Sequence, residues 1–159
     1  MAMHTWFECK IRYEKVMENG MQKKVTEPYL VDALSFTEAE ARIIEEMTPF
    51  ISGEFTVSDI ERANYSELFP SDEESADRWF KCKLIFITLD EKSGAEKKTS
   101  TQVLVQAADL RDAVKKLDEG MKGTMADYQI GMVSETPLMD VYPYSAEPND
   151  KPEFDPSKA

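Results

Sequence analysis

Histidine is almost missing from this chain. One residue in 159, His4, lies near the start. No Ser-His-Asp or Cys-His arrangement can be assembled from it. Cysteine is nearly as scarce, with Cys9 and Cys82 alone and no Cys-x-x-Cys pair. A zinc site usually wants four such ligands, so no metal and no cofactor is expected. The six glycines are scattered at turns and form no phosphate-cradling loop. No apolar run approaches the roughly 18 residues that span a bilayer, and the first residues lack the basic start and apolar middle of a signal peptide. The expectation is a cytoplasmic protein with no membrane partner. Carboxylates abound, but most fall on helix outer faces or between elements, where solvation is their ordinary role. The residues lean away from an enzyme.

Charge of one sign dominates. Nineteen Lys and Arg stand against 31 Asp and Glu, a net charge of −12. That balance opposes long-range attraction to phosphate. It is unevenly spread: residues 78–107 carry six basic residues against three acids, whereas residues 4–33 balance at five of each. The excess acid sits around Glu38–Glu54, in 71–78 and in the tail, so a locally basic sheet face stays compatible with the total.

What is present is a repeat. Trp6-Phe7-Glu8-Cys9-Lys10-Ile11 returns 73 positions later as Trp79-Phe80-Lys81-Cys82-Lys83-Leu84. Leu30-Val31-Asp32-Ala33 returns after 74 as Leu104-Val105-Gln106-Ala107, and Leu68-Phe69-Pro70 is answered by Val141-Tyr142-Pro143. A fixed period fixes architecture better than propensity does. Units of about seventy residues are marginal alone, so a shared core or sheet is expected.

Within each copy the patterns agree. Phe7, Cys9, Ile11 and Tyr13 alternate with Glu8, Lys10, Arg12 and Glu14, the period of a half-buried strand. Glu18-Asn19-Gly20 is a hairpin turn signal, and the return strand follows over 22–33. Pro28 cannot donate to a ladder and points to an edge or bulge. Ser35-x-x-Glu38 is a capping box that opens a helix stopped near Pro49. The second helix begins at Asp109 and carries a stripe of Leu110, Ala113, Val114, Leu117 and Met121. Further strands are expected over 53–62, 65–69, 126–134 and 138–142. The fold class is α+β: a duplicated strand-strand-helix-strand(-strand) unit with a largely antiparallel sheet and pseudo-twofold symmetry. The expected boundaries are 3–70 for the first unit, 71–78 for an acidic linker, 79–144 for the second unit and 145–159 for a disordered, proline-containing acidic tail.

The candidate site is the side of the first strands opposite the cysteines. There Trp6 shares a face with Lys10 and Arg12, and Trp79 shares one with Lys81 and Lys83. Lys23, Lys24, Lys97 and Lys98 enter the neighbouring strands. Aromatic rings beside lysines on a strand are how single-strand binders stack bases and neutralise phosphates. The competing reading buries both tryptophans in a seam between the repeats, and their matched positions favour it. Cys9 and Cys82, on the apolar side, read as small hydrophobes. Tyr65, Phe69, Tyr142 and Tyr144 read as core or interface.

At the Trp-Phe-x-Cys-Lys start, the Leu-Val-x-Ala strand end and the Val-Tyr-Pro close, the chain resembles a family of small bacterial and phage-encoded domains catalogued as a domain of unknown function. The resemblance covers about residues 3–144. It brings no activity, cofactor or catalytic residue, and it implies a phage or mobile-element setting, where small accessory binders are common. The expected function is therefore a non-enzymatic binding module, taking a protein partner or a single-stranded nucleic acid, with the net charge favouring the protein. The alternative is a small-ligand binder or enzyme, for a nucleotide or metabolite, with its site at the seam between repeats. A third reading is an acidic mimic of nucleic acid.

Overall fold

A computed structural model describes residues 5–124 and 127–143. The expected tail and the chain start with His4 lie outside the described residues, as does Tyr144. The elements in chain order are β1 (Trp6–Val16), β2 (Gln22–Asp32), α1 (Phe36–Met47), β3 (Phe55–Ala63), β4 (Glu67–Phe69), β5 (Arg78–Leu89), β6 (Glu96–Ala107), α2 (Leu110–Gly120), β7 (Asp127–Glu135) and β8 (Asp140–Tyr142). The protein is α+β, with two helices and eight strands in two mostly antiparallel sheets.

The chain divides into two compact units. The first runs to Ala63 and takes back the segment from Asp140, while the second is Asn64–Met139. These limits differ from the boundaries expected at 70 and 79, because one strand in each unit comes from the far half of the sequence. The first sheet has the order β3-β1-β2-β8 and the second β4-β6-β5-β7. Read from the other edge, the second is β7-β5-β6-β4. Each sheet is thus three antiparallel strands with the first long strand, β1 or β5, in the middle, extended by a short parallel strand. β8 lies along Tyr29–Val31 of β2, and β4 lies along Val103–Val105 of β6. Segment 71–78, expected as a linker, holds Ala76 buried and ends inside β5.

In the first unit, the alternation along β1 decides which face is covered. Phe7, Cys9 and Ile11 are wholly buried and meet Val31 of β2, Ala33 just past its end, and Ala39, Ile43 and Met47 of α1. The three helix residues recur every fourth position, which lines them along one side of α1. Burying side chains of this size stabilises by roughly 1.5–3 kcal/mol each for the larger ones. The helix starts where the sequence says it should: Ser35 Oγ accepts from the Glu38 amide at 3.1 Å, and the Glu38 carboxylate accepts from the Leu34 amide at 2.5 Å. The β1–β2 hairpin turns through Gly20, whose φ of 84° lies in the left-handed region that favours glycine.

The second unit repeats this by position. Phe80, Cys82 and Leu84 meet Val103, Val105 and Ala107 of β6 and Ala113 and Leu117 of α2. Asp109 caps α2 by accepting from the Asp112 amide at 2.8 Å, and Asp112 accepts from Ala108 at 2.9 Å. Both outer ladders also slip by one residue at matching places. Ser58 is the extra residue of β3, where pairing shifts between Lys10 and Ile11, and Gly131 is the extra residue of β7, where it shifts between Lys83 and Leu84. Such bulges sharpen the local twist and bend the edge strand.

Pro28 finds its explanation in this topology. It pairs with Lys10 on the β1 side, and the β8 ladder begins only at Tyr29. The missing amide therefore falls where β2 is still an open edge.

The borrowed strand generates a test. Truncating the chain after Met139 removes β8 from the first sheet and no residue from the second unit. Hydrogen exchange should accelerate along Tyr29–Val31 and stay unchanged along Val103–Val105, as read by mass spectrometry of the two strands.

Candidate binding groove

The sequence-selected residues divide by strand parity. In the first unit Trp6, Lys10, Arg12 and Lys24 point away from the helix, since Arg12 faces Thr26 and Glu14 faces Lys24 across the ladder. Lys23 pairs with Lys15 and points to the helix side. In the second unit Trp79, Lys81, Lys83 and Lys98 lie away from the helix, and Lys97, opposite Thr88, lies on the helix side. The structure thus brings three cations together on one face of each sheet and puts Lys23 and Lys97 elsewhere. In the first unit Glu8, Glu14, Asp59 and Glu61 are interleaved with those cations. In the second, Asp127 and Glu96 stand only at the far end of the face. Neither tryptophan offers an open ring: Trp6 is 2% exposed and Trp79 5%.

The side that carries concave surface is the other one, in the second unit, where α2 meets β4. Phe69, at the end of β4, lies across the last residue of α2. A Cβ on Gly120 would sit 2.8 Å from two ring carbons of Phe69, so only glycine permits this approach. A cavity opens on either side of the ring. The larger, about 600 Å³, is lined by Ser71, Asp72, Lys116 and Glu119 with Phe69 and Gly120. The smaller, about 300 Å³, is lined chiefly by Leu84, Phe86, Thr101, Val103 and Met121.

Lys116 organises the polar cavity. Its ammonium lies 2.9 Å from Glu73 and 2.9 Å from Asp112, the latter an i, i+4 pair on α2. Desolvation alone would lower its pKa, but hydrogen bonds to the two carboxylates outweigh this and the net shift is upward. Asp112 is held below the usual range, first by the Ala108 amide and then by Lys116. The neighbouring Ser71 amide donates to Gln106 Oε1 at 2.9 Å. These bonds fasten the chain that follows β4. The first unit does the same with different chemistry: Arg42, at the position of Lys116, donates to the Asp32 carbonyl and reaches the Pro143 carbonyl just past β8 at 3.2 Å.

At the equivalent positions of the first unit stand three tyrosines and a glutamate. Tyr13 Oη donates to Glu27 at 2.9 Å, Tyr29 Oη does so at 3.4 Å, and the rings of Tyr29 and Tyr142 stack with centroids 6.2 Å apart. Burial, then Glu27, pushes the Tyr13 phenol up to about 12. Burial, then Asp140 and Glu46, does the same for Tyr142. Tyr29 is raised further, again chiefly by burial. Among the described residues no three His, Cys, Asp or Glu side chains gather as a metal site requires. No described helix is long and apolar enough to cross a membrane.

A two-sheet α+β chain with one strand of each sheet drawn from the other half, and a cleft beside the second helix, is the class these observations define. The chain belongs to the domain of unknown function DUF4494, whose family model matches residues 5–144. No curated protein and no solved structure matches it.

Two outcomes follow. Burial raises the Cys9 thiol to about 12 and Cys82 to about 11, so neither is thiolate at neutral pH. Ellman's reagent at pH 8 should find no reactive thiol in the native protein and two after denaturation. The raised phenols set an alkaline limit. Below the ordinary tyrosine value of 10 they are protonated whether folded or unfolded, and their contribution to stability is intact. As pH rises from about 10 through about 12, the unfolded chain loses these protons first and stability falls. Urea midpoints at pH 8 and pH 11 should show that fall, and Tyr13→Phe should make it shallower.

Proposed function

We propose that this protein is a non-catalytic binding module and that its macromolecular partner is a protein rather than a single-stranded nucleic acid. The observation that carries the choice is the burial of Trp6 and Trp79. With both indoles covered, the lysine-bearing sheet faces offer bases no tryptophan to stack on, and such stacking is worth about 1–3 kcal/mol per base in single-strand binders. The remaining cations work against a net charge of −12. Counterion release by three lysines on one face is a weak drive on its own.

Exposed apolar side chains favour a protein partner. Leu34, Phe36, Ile44 and Phe50 all leave large apolar surface open on or beside α1, with Leu34 77% and Phe50 76% exposed. Such side chains are the usual anchors of protein interfaces, whose buried centres are depleted in charge. The buried thiols of Cys9 and Cys82, both raised by desolvation, support the non-catalytic part of the reading. The matching cores, caps and bulges support descent of the two units from one duplicated unit.

Fluorescence anisotropy of a labelled single-stranded oligonucleotide tests the choice. At about 50 mM salt the protein should leave anisotropy unchanged at micromolar concentration. Binding that weakens steeply by about 200 mM salt would overturn the proposal, since that slope is the signature of phosphate contacts. Tryptophan emission recorded in the same titration should be blue-shifted and unmoved.

A further inference from the structure

We infer that the smaller cavity of the second unit is a binding site for a small, uncharged, single-ring phenol. The argument is an internal comparison. Tyr29 and Val103 occupy the same ladder position: Tyr29 pairs with Cys9 and Asp140, Val103 with Cys82 and Glu67. In the first unit a phenol ring stands there, stacked on Tyr142 and bonded to Glu27. In the second unit the ring is gone, and a space of about 300 Å³ borders Val103. That volume is at the lower end of small-molecule sites.

The surroundings of the missing ring are retained. Phe69 stands where Tyr142 stands, offering an aromatic face, and Phe86 stands where Tyr13 stands. The hydroxyl acceptor is also retained in place, since Thr101 holds the position of Glu27: one lies opposite Leu84, the other opposite Ile11. Thr101 Oγ1 donates its own proton to Ser66 Oγ at 2.9 Å, and Ser66 donates to the Gln102 carbonyl at 3.2 Å. The lone pairs of Thr101 are thereby left for an incoming donor, as the Glu27 carboxylate receives Tyr29. Glu67 at the rim disfavours an anion, which argues for the neutral phenol over a phenolate or an aromatic acid.

The test is a titration of the isotope-labelled full chain with p-cresol, followed by methyl NMR. The expected result is saturable shifts confined to Leu84, Thr101, Val103 and Met121. Toluene, which keeps the ring and loses the hydroxyl, should bind roughly fivefold more weakly, the worth of one neutral hydrogen bond. Val103→Tyr, which restores the ring found in the first unit, should abolish the p-cresol shifts. Thr101→Val should leave p-cresol and toluene equal, and this milder variant stands if Val103→Tyr fails to fold. Linear or scattered shifts with p-cresol on the unaltered chain would overturn the inference. Equal affinity for toluene there would overturn its phenolic part. The protein-partner proposal is read separately, by anisotropy, and survives either failure.

Discussion

Neither set of three antiparallel strands is complete. The open side of β2 needs a partner for Tyr29–Val31, and the open side of β6 needs one for Val103–Val105. Each is met by three residues from the other half of the sequence. An unpaired, largely apolar edge is costly to leave in water and invites pairing with another chain. Filling it from the same chain removes that hazard. It also delivers an aromatic side chain, Tyr142 or Phe69, onto the partly buried rim of each core. The helix cations then hold the arriving segment: Arg42 binds the Pro143 carbonyl, and Lys116 binds Glu73. The cleft exists because of this arrangement, since one wall of it is the borrowed strand.

The two units set different side chains at matching positions of the same topology. At three equivalent positions the first unit has tyrosines, Tyr13, Tyr29 and Tyr142, where the second has Phe86, Val103 and Phe69. At a fourth, Glu46 gives way to Gly120. In the first set Tyr13 and Tyr29 bond Glu27, and Tyr142 stacks on Tyr29. The second keeps the apolar walls, has Thr101 at the place of Glu27 and lets Phe69 lie on bare helix backbone. Polar groups sealed in such a cluster are stabilising only when each is bonded, as Tyr13 and Tyr29 are.

Local structure was legible because its signals are local. Ser35-x-x-Glu38 marks a helix start through the same two hydrogen bonds that the structure contains, and period-two alternation in β1 and β5 marks the core faces. Strand partnership was not legible. Leu68-Phe69-Pro70 and Val141-Tyr142-Pro143 keep one sequence offset whether each strand stays at home or crosses, so the repeat carries no information on the exchange. Composition marked 71–78 as polar and acidic, but it could not show that Glu73 pairs with Lys116 or that Ala76 is buried. Parity correctly separated Trp6 from Cys9, but parity cannot say whether the second side of a sheet is covered. The cleft was hidden for a further reason. Its signal is small residues where the other copy has large ones, Gly120 for Glu46 and Val103 for Tyr29. Those positions become neighbours only once α2, β4 and β6 are packed.

The exchange also bears on how the molecule is made. All strands of the second sheet have been synthesised by Glu135, whereas the first sheet waits for Asp140–Tyr142. A ribosome delivers residues from the N-terminus, so the earlier-made unit is the later one to be finished. Until then β2 travels with an exposed edge, and Pro28, buried mid-strand without an amide to offer, shortens the stretch on which a stray strand could pair.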